Sequence, residues 1–315
     1  MGNNRLYHDM RYRKIFFGSD KMKKNRIAAA VAAAAITVSV AGSFFAGSVK
    51  TASQSSVITA SAATYTTDLR GFITRVFNVC LNREPSERAV SNWTEKLLKR
   101  IATGSDVAYT FFNSDEYKRR KRTNAQIVDD CYQAMLGRTA DASSKAVYVN
   151  HLNVGMSVNS ICRDLASSQE FKQRCMDHAI QPGSYSVTSA VDENYERTYF
   201  VYRLYVNCLG RTPDPTGLES WCQAIRSGYT GSKMVFGFIY SDEYTKKNAS
   251  NSDFVTMLYK TLLGRSPDPA GLAAWTNQLN SGASRNSVIN GFLFSDEFKK
   301  QCAVVGMSVG DKLPE

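Results

Sequence analysis

The sequence predicts an all-α protein of tandem helical repeats, about four short helices to a repeat, behind an N-terminal signal peptide. Three observations predict it. Apolar residues recur at offsets of three and four, one pattern of about fifty residues recurs four times, and no window alternates apolar and polar residues as a strand would. A chain of 315 residues also exceeds what one hydrophobic core usually serves, and 43% apolar residues with 11% aromatic ones suffice to offset the entropy of ordering it.

The first element, residues 1–62, reads as an export signal. Lys23, Lys24 and Arg26 form a basic head, and the run from Ile27 to Val49 carries no charge and is rich in Ala, Val and Ser. Ala60-Ser61-Ala62 then offers the small residues that a signal peptidase needs, so cleavage is expected after Ala62. Met22 directly precedes the basic head and is an alternative start. An uncleaved anchor is the rival reading, since the run is long enough for a bilayer, although its Ala, Ser, Thr and Gly content makes it weakly hydrophobic.

The net charge of +11 and a pI near 9.3 raise the question of nucleic-acid binding. Residues 1–63 hold nine Lys or Arg against two Asp, leaving 30 basic against 26 acidic residues in the rest. That small excess has no basic run longer than Lys118 to Arg122, so no nucleic-acid partner is expected. Membrane contact is expected only through the export signal.

Beyond the signal, four arginines set the register: Arg83, Arg138, Arg211 and Arg265. Six residues before each stands an aromatic (Phe77, Tyr132, Tyr205, Tyr259), two before a leucine, and ten before a β-branched residue (Ile73, Val128, Val201, Val255), which places them on one helix face. Ten residues after come Trp93, Tyr148, Trp221 and Trp275. Each unit closes on Ser114-Asp-Glu-Tyr117, Ser168-Gln-Glu-Phe171, Ser241-Asp-Glu-Tyr244 or Ser295-Asp-Glu-Phe298. The copies divide the chain into repeat one (63–122), repeat two (123–180), a linker (181–193), repeat three (194–248), repeat four (249–304) and a tail (305–315).

Turn chemistry outlines each copy, most legibly the fourth. Gly264, like Gly210, can take the left-handed conformation that ends a helix, and Pro267 forbids continuation. Asp268, like Asp214, reads as an N-cap with Pro at the first helical position, and Leu272, Trp275 and Leu279 give the second helix its apolar stripe until Asn280-Ser-Gly282 breaks it. Ser284 caps a third helix. Ser295, like Ser241, caps a short fourth whose first turn carries Asp and Glu, where the helix dipole favours negative charge.

The stretch Gly-Arg-x-Pro-Asp-x-x-Gly-Leu-x-x-Trp followed by Ser-Asp-Glu-Phe resembles the DUF4214 repeat. Gly210 to Trp221 and Gly264 to Trp275 carry the full motif. Repeat one has Asn82 and Ser86 in place of Gly and Asp, and repeat two lacks the Pro and the Gly-Leu and has Tyr148 in place of Trp. The resemblance implies a helical module of secreted and surface-layer bacterial proteins, distantly similar to phycobilisome linker domains, with no set activity or ligand.

The candidate binding residues are the four arginines with Trp93, Trp221 and Trp275, each with a structural alternative that the sequence favours. An arginine past a helix end can bond free carbonyls and reach a carboxylate of the Ser-Asp-Glu cap, tying first helix to last. A tryptophan at helical spacing with leucines is more often core than a sugar platform. Asp214 and Asp268 could ligate calcium, but N-capping already accounts for them. No CxxC occurs and only His151 and His178 follow the signal, so no metal site or cofactor is expected. An oxidising compartment would allow disulfides, and Cys208 with Cys222 is a plausible crosslink between first and second helix; seven cysteines leave at least one unpaired.

No Gly-x-Ser-x-Gly, His-Glu-x-x-His or phosphate loop occurs, and adjacent Asp-Glu pairs on a capped helix do not oppose each other across a cleft. The sequence therefore predicts a non-enzymatic, secreted or cell-surface binding module for an extracellular glycan or surface protein. A self-associating structural component of a surface layer or matrix is the alternative, and a glycan-active enzyme the minor one.

Overall fold

The structure, a computed structural model, describes the backbone of residues 54–314 and the side chains of residues 68–314. Among the described residues there are sixteen α-helices and no strand. The basic head and apolar run of the expected export signal lie outside them, and the expected cleavage point after Ala62 falls within the backbone of the first helix. Among the described residues no helix is long and apolar enough to cross a membrane.

Each repeat is four helices. Repeat one holds α1 (Gln54–Leu81), α2 (Glu87–Leu98), α3 (Gly104–Phe112) and α4 (Asp115–Arg119). Repeat two holds α5 (Asn124–Leu136), α6 (Ala142–Asn153), α7 (Val158–Ser167) and α8 (Gln169–Asp177). Repeat three holds α9 (Tyr195–Arg203, continued by a π-helical turn Leu204–Leu209), α10 (Pro215–Arg226), α11 (Gly231–Ile239) and α12 (Asp242–Thr245). Repeat four holds α13 (Asn251–Leu258, continued by a π-helical turn Tyr259–Leu263), α14 (Pro269–Asn280), α15 (Arg285–Leu293) and α16 (Asp296–Val305).

The same devices start and stop these helices in every copy. Gly137, Gly210 and Gly264 end the first helix at φ 69°, 72° and 71°, and Asn82 does so in repeat one at φ 53°, asparagine being the side chain that tolerates this region best after glycine. Ser86, Asp141, Asp214 and Asp268 cap the second helix by accepting a backbone N–H three residues on. Ser114, Ser168, Ser241 and Ser295 cap the fourth in the same way, and each hydroxyl also donates to the last turn of the third helix, at 2.6–2.7 Å. One serine thereby fixes the angle between two helices.

The repeats pair. Repeats one and two share one hydrophobic core and repeats three and four another, the second core also taking in Val154 and Met156 from the end of repeat two. Within a pair the third helix of the odd repeat meets the fourth of the even one so closely that only glycine fits. A methyl on Gly104 would lie 2.8 Å from Cys175 Sγ, and one on Gly231 2.9 Å from the Phe298 ring.

The segments read from the sequence as linker and tail are matching straps. Gln181 and Pro182 offer their carbonyls to the N–H groups of Gly104 and Ser105, and Ser308 and Val309 do the same for Gly231 and Ser232, all at 2.8–2.9 Å. These N–H groups are first-turn donors with no partner inside their own helix, so each strap completes a helix start. The two straps lie 127 residues apart in sequence, as do Arg138 and Arg265; the fold is a two-repeat unit built twice.

Hydrogen bonds and stacked rings join the two units. Asp192 accepts from Ser157 N and Oγ at 2.7 and 2.6 Å, and Glu219 accepts from Ser189 Oγ and Ala190 N at 2.5 and 2.8 Å. His151 stacks on Tyr195 with ring centroids 4.5 Å apart, Tyr195 stacks on Tyr199, and the Arg203 guanidinium covers Tyr199.

Candidate functional site

The four register arginines sit in one repeated arrangement. Arg83, Arg138, Arg211 and Arg265 each make a two-pronged ion pair to the glutamate of the closing signature: Glu116, Glu170, Glu243 and Glu297, with Nε to Oε1 at 2.6–2.8 Å. Each guanidinium also lies 4.9–5.3 Å from the ring of its own first helix: Phe77, Tyr132, Tyr205 and Tyr259. The chain leaves a helix end at the arginine and must begin the fourth helix beside it, so the pair closes the repeat. The hydrogen bond from the guanidinium holds all four glutamates below the usual carboxylate value. Both partners remain about half exposed, so each pair is a clasp at the surface and not a buried charge.

The tryptophans are half-buried against the cores. Trp93 packs on Phe111, Trp221 on Phe238 and Trp275 on Phe292, at 4.9–5.7 Å between centroids, and the same three phenylalanines take Phe77, Tyr205 and Tyr259 edge-on. Repeat two has Leu165 where the others have phenylalanine, so Tyr148 meets Tyr132 directly at 6.3 Å. The structure thus brings arginine, glutamate and aromatics together within each copy. It does not gather the arginines and tryptophans of different copies into one site.

The expected crosslink between Cys208 and Cys222 is not formed, and all seven cysteines are buried free thiols. Cys208 faces repeat four, its Sγ 3.3 Å from Met257 Sδ, whereas Cys222 faces Thr198 in its own repeat at 3.7 Å. Pairing between repeats turns one sulfur outward from its own copy, which spacing within a single copy cannot reveal. Burial pushes both thiols up to about 12.

His178 is buried and His151 half-buried, and desolvation lowers both below the ordinary histidine value. His178 Nδ1 lies 3.2 Å from Asp68, and His151 sits in the stack between the two units. Among the described residues no three His, Cys, Asp or Glu side chains converge as a metal would require. Asp214 and Asp268 each accept a backbone N–H at 2.8 Å and lie near their own arginine.

Sequence reasoning missed the clefts between paired repeats. One, of about 340 Å³, lies in the first unit beside Tyr117, Arg122, Ile127 and Asn159. There Asp130, 5% exposed, accepts from Tyr117 Oη at 3.1 Å and from Arg122 Nε and Nη2 at 2.8 and 2.7 Å. The other, of about 330 Å³, lies at the matching place in the second unit beside Tyr240, Tyr244, Asn248 and Arg285. The two are legible only once the order of repeat pairing is known.

Set beside known families, residues 108–175, 183–248 and 240–302 each match the family described as Domain of unknown function (DUF4214). The three matches fall on repeats two, three and four, the first of them starting within α3 of repeat one. No curated protein matches the chain.

Proposed function

The chain belongs to the DUF4214 family, and on that premise we propose that it is a non-enzymatic, exported helical-repeat protein serving as a binding module at the cell surface or outside the cell. Its ligand is an extracellular glycan or a surface protein. One observation carries the reading: in every copy the signature arginine is already engaged by its own glutamate and aromatic ring, while clefts with polar walls lie between paired repeats. The repeated residues therefore build a scaffold, and the scaffold presents surfaces that differ from one pair to the next. Export rests on the basic head, apolar run and small residues of the first 62 positions.

Light scattering of the protein over a concentration series, alone and with crude cell-wall polysaccharide, tests the proposal. A constant monomer whose mass rises only with polysaccharide is the expected result. Growth of mass with protein alone would favour the self-associating structural component, and turnover of the polysaccharide would overturn the non-enzymatic reading.

A further inference from the structure

Tyr244 closes the signature of repeat three and is 5% exposed, yet its hydroxyl has no hydrogen-bond partner among the described residues. A buried hydroxyl left unmatched carries its full desolvation cost, so the group calls for an explanation. It lies in the wall of the cleft of about 330 Å³ between repeats three and four, a volume at the lower end of small-molecule sites.

The first unit supplies an internal comparison. Its equivalent tyrosine, Tyr117, donates to the Asp130 carboxylate, which Arg122 clamps with two further bonds. In the second unit Met257 stands at the Asp130 position and Ala249 at the Arg122 position. The internal carboxylate and its arginine are both gone. A different cation faces the phenol instead: Arg285, at the place of Val158, reaches in from the first turn of α15. Its Nη2 donates to the Ala249 carbonyl at 2.5 Å and its guanidinium lies 4.6 Å over the Phe254 ring, which fixes its plane while its other N–H groups stay free of protein partners among the described residues.

Resting on the reading of the protein as a glycan-binding module, we propose that this cleft binds a carboxylated sugar, with Arg285 pairing the carboxylate and Tyr244 donating its hydroxyl to it. Asp130 shows which group completes such a tyrosine–arginine set in this fold. The remaining walls suit a sugar ring: the Tyr240 ring, held by its hydroxyl on Asn286 Oδ1, gives an aromatic face, and Thr245 and Asn248 give hydroxyl and amide groups at the rim. No strand edge lines the cleft among the described residues, so an extended peptide has no backbone to pair with.

Titration calorimetry of the full-length protein with sodium glucuronate, glucose and N-acetylglycine tests the proposal, alongside Arg285→Gln and Tyr244→Phe variants whose folding is checked by circular dichroism. Saturable binding of glucuronate is expected, with glucose and N-acetylglycine at least about tenfold weaker, a loss of about tenfold or more in Arg285→Gln and a smaller loss in Tyr244→Phe. Absence of glucuronate binding, or binding unchanged in both variants, would overturn the site. N-acetylglycine binding as tightly as glucuronate would overturn the sugar assignment. Retention on wall polysaccharide separates the two levels. Equal retention of native protein and Arg285→Gln removes this site and leaves the binding module standing, whereas retention of neither removes both.

Discussion

Arg203, buried in the first helix of repeat three, packs its guanidinium against Gly264, the left-handed residue that ends the first helix of repeat four. Arg75 stands in the same relation to Gly137 in the other unit, its Nε reaching the Ala134 carbonyl at 3.4 Å. Among the described residues no carboxylate pairs with either guanidinium, and desolvation lowers both from the usual arginine value. Arg203 Nη2 donates to Gln301 Oε1 at 3.2 Å, and both guanidiniums lie at the negative end of a neighbouring helix, which repeat pairing brings there.

Gly264→Ala should therefore cost more than backbone strain. The left-handed conformation alone penalises a Cβ by roughly 1–2 kcal/mol, and the methyl would also displace the Arg203 guanidinium. Gly282→Ala is the control, because Gly282 has φ 95° and nothing within 4 Å of the added carbon. Denaturant unfolding is expected to rank Gly264→Ala as the less stable variant; equal losses would show that the arginine contact contributes nothing.

The Arg265–Glu297 clasp should be modest in energy. With side chains 43% and 40% exposed, a double-mutant cycle on Arg265→Ala and Glu297→Ala should give a coupling of about 0.5–1 kcal/mol, weakening in high salt. A coupling of several kcal/mol would mean that the pair is far less solvated than its exposure indicates.

Stability should fall on acidification in two stages. His151 and His178 titrate lower in the folded state than their ordinary 6.5, so the unfolded chain takes up their protons first. Stability is then full above about pH 6.5 and declines below it. The four clasp glutamates also sit below their ordinary 4.5, adding stability that is present above that value and lost as pH falls further. Melting temperature measured from pH 8 to pH 3 should show both falls, and His151→Gln with His178→Gln should flatten only the first.

The cysteines should be silent until the protein unfolds. All seven are buried, and burial raises the Cys175, Cys208, Cys222 and Cys302 thiols to about 12. Ellman's reagent should find no reactive thiol in the native protein and seven in guanidinium. Fewer than seven under denaturing, non-reducing conditions would reveal a disulfide that forms on export.

Local signals carried most of the fold. Gly210, Gly264, Asp214, Asp268, Ser241 and Ser295 each act within a few residues of themselves, and the spacing of Leu272, Trp275 and Leu279 follows from the helical period alone. For the same reason four helices per copy could be read directly. The arginine's reach to the closing signature was legible as an idea, but the choice of Glu over Asp was not, because it depends on which face of a capped turn meets the preceding helix end.

What the sequence determined by itself is the repeat: its length, its helix starts and stops, and its family, since propensity, capping and periodicity act over one turn or two. What only the tertiary structure decided is everything between repeats. Cys208 faces Met257 and not Cys222, residues 181 and 182 form a strap, and Tyr244 shares a cleft with Arg285 where Tyr117 shares its own with Val158, because each of these follows from which surfaces the chain folds together to bury. Each repeat buries its remaining apolar face only against another, and the partner is chosen by shape at contacts such as Gly231 with Phe298, a complementarity that neither residue displays alone.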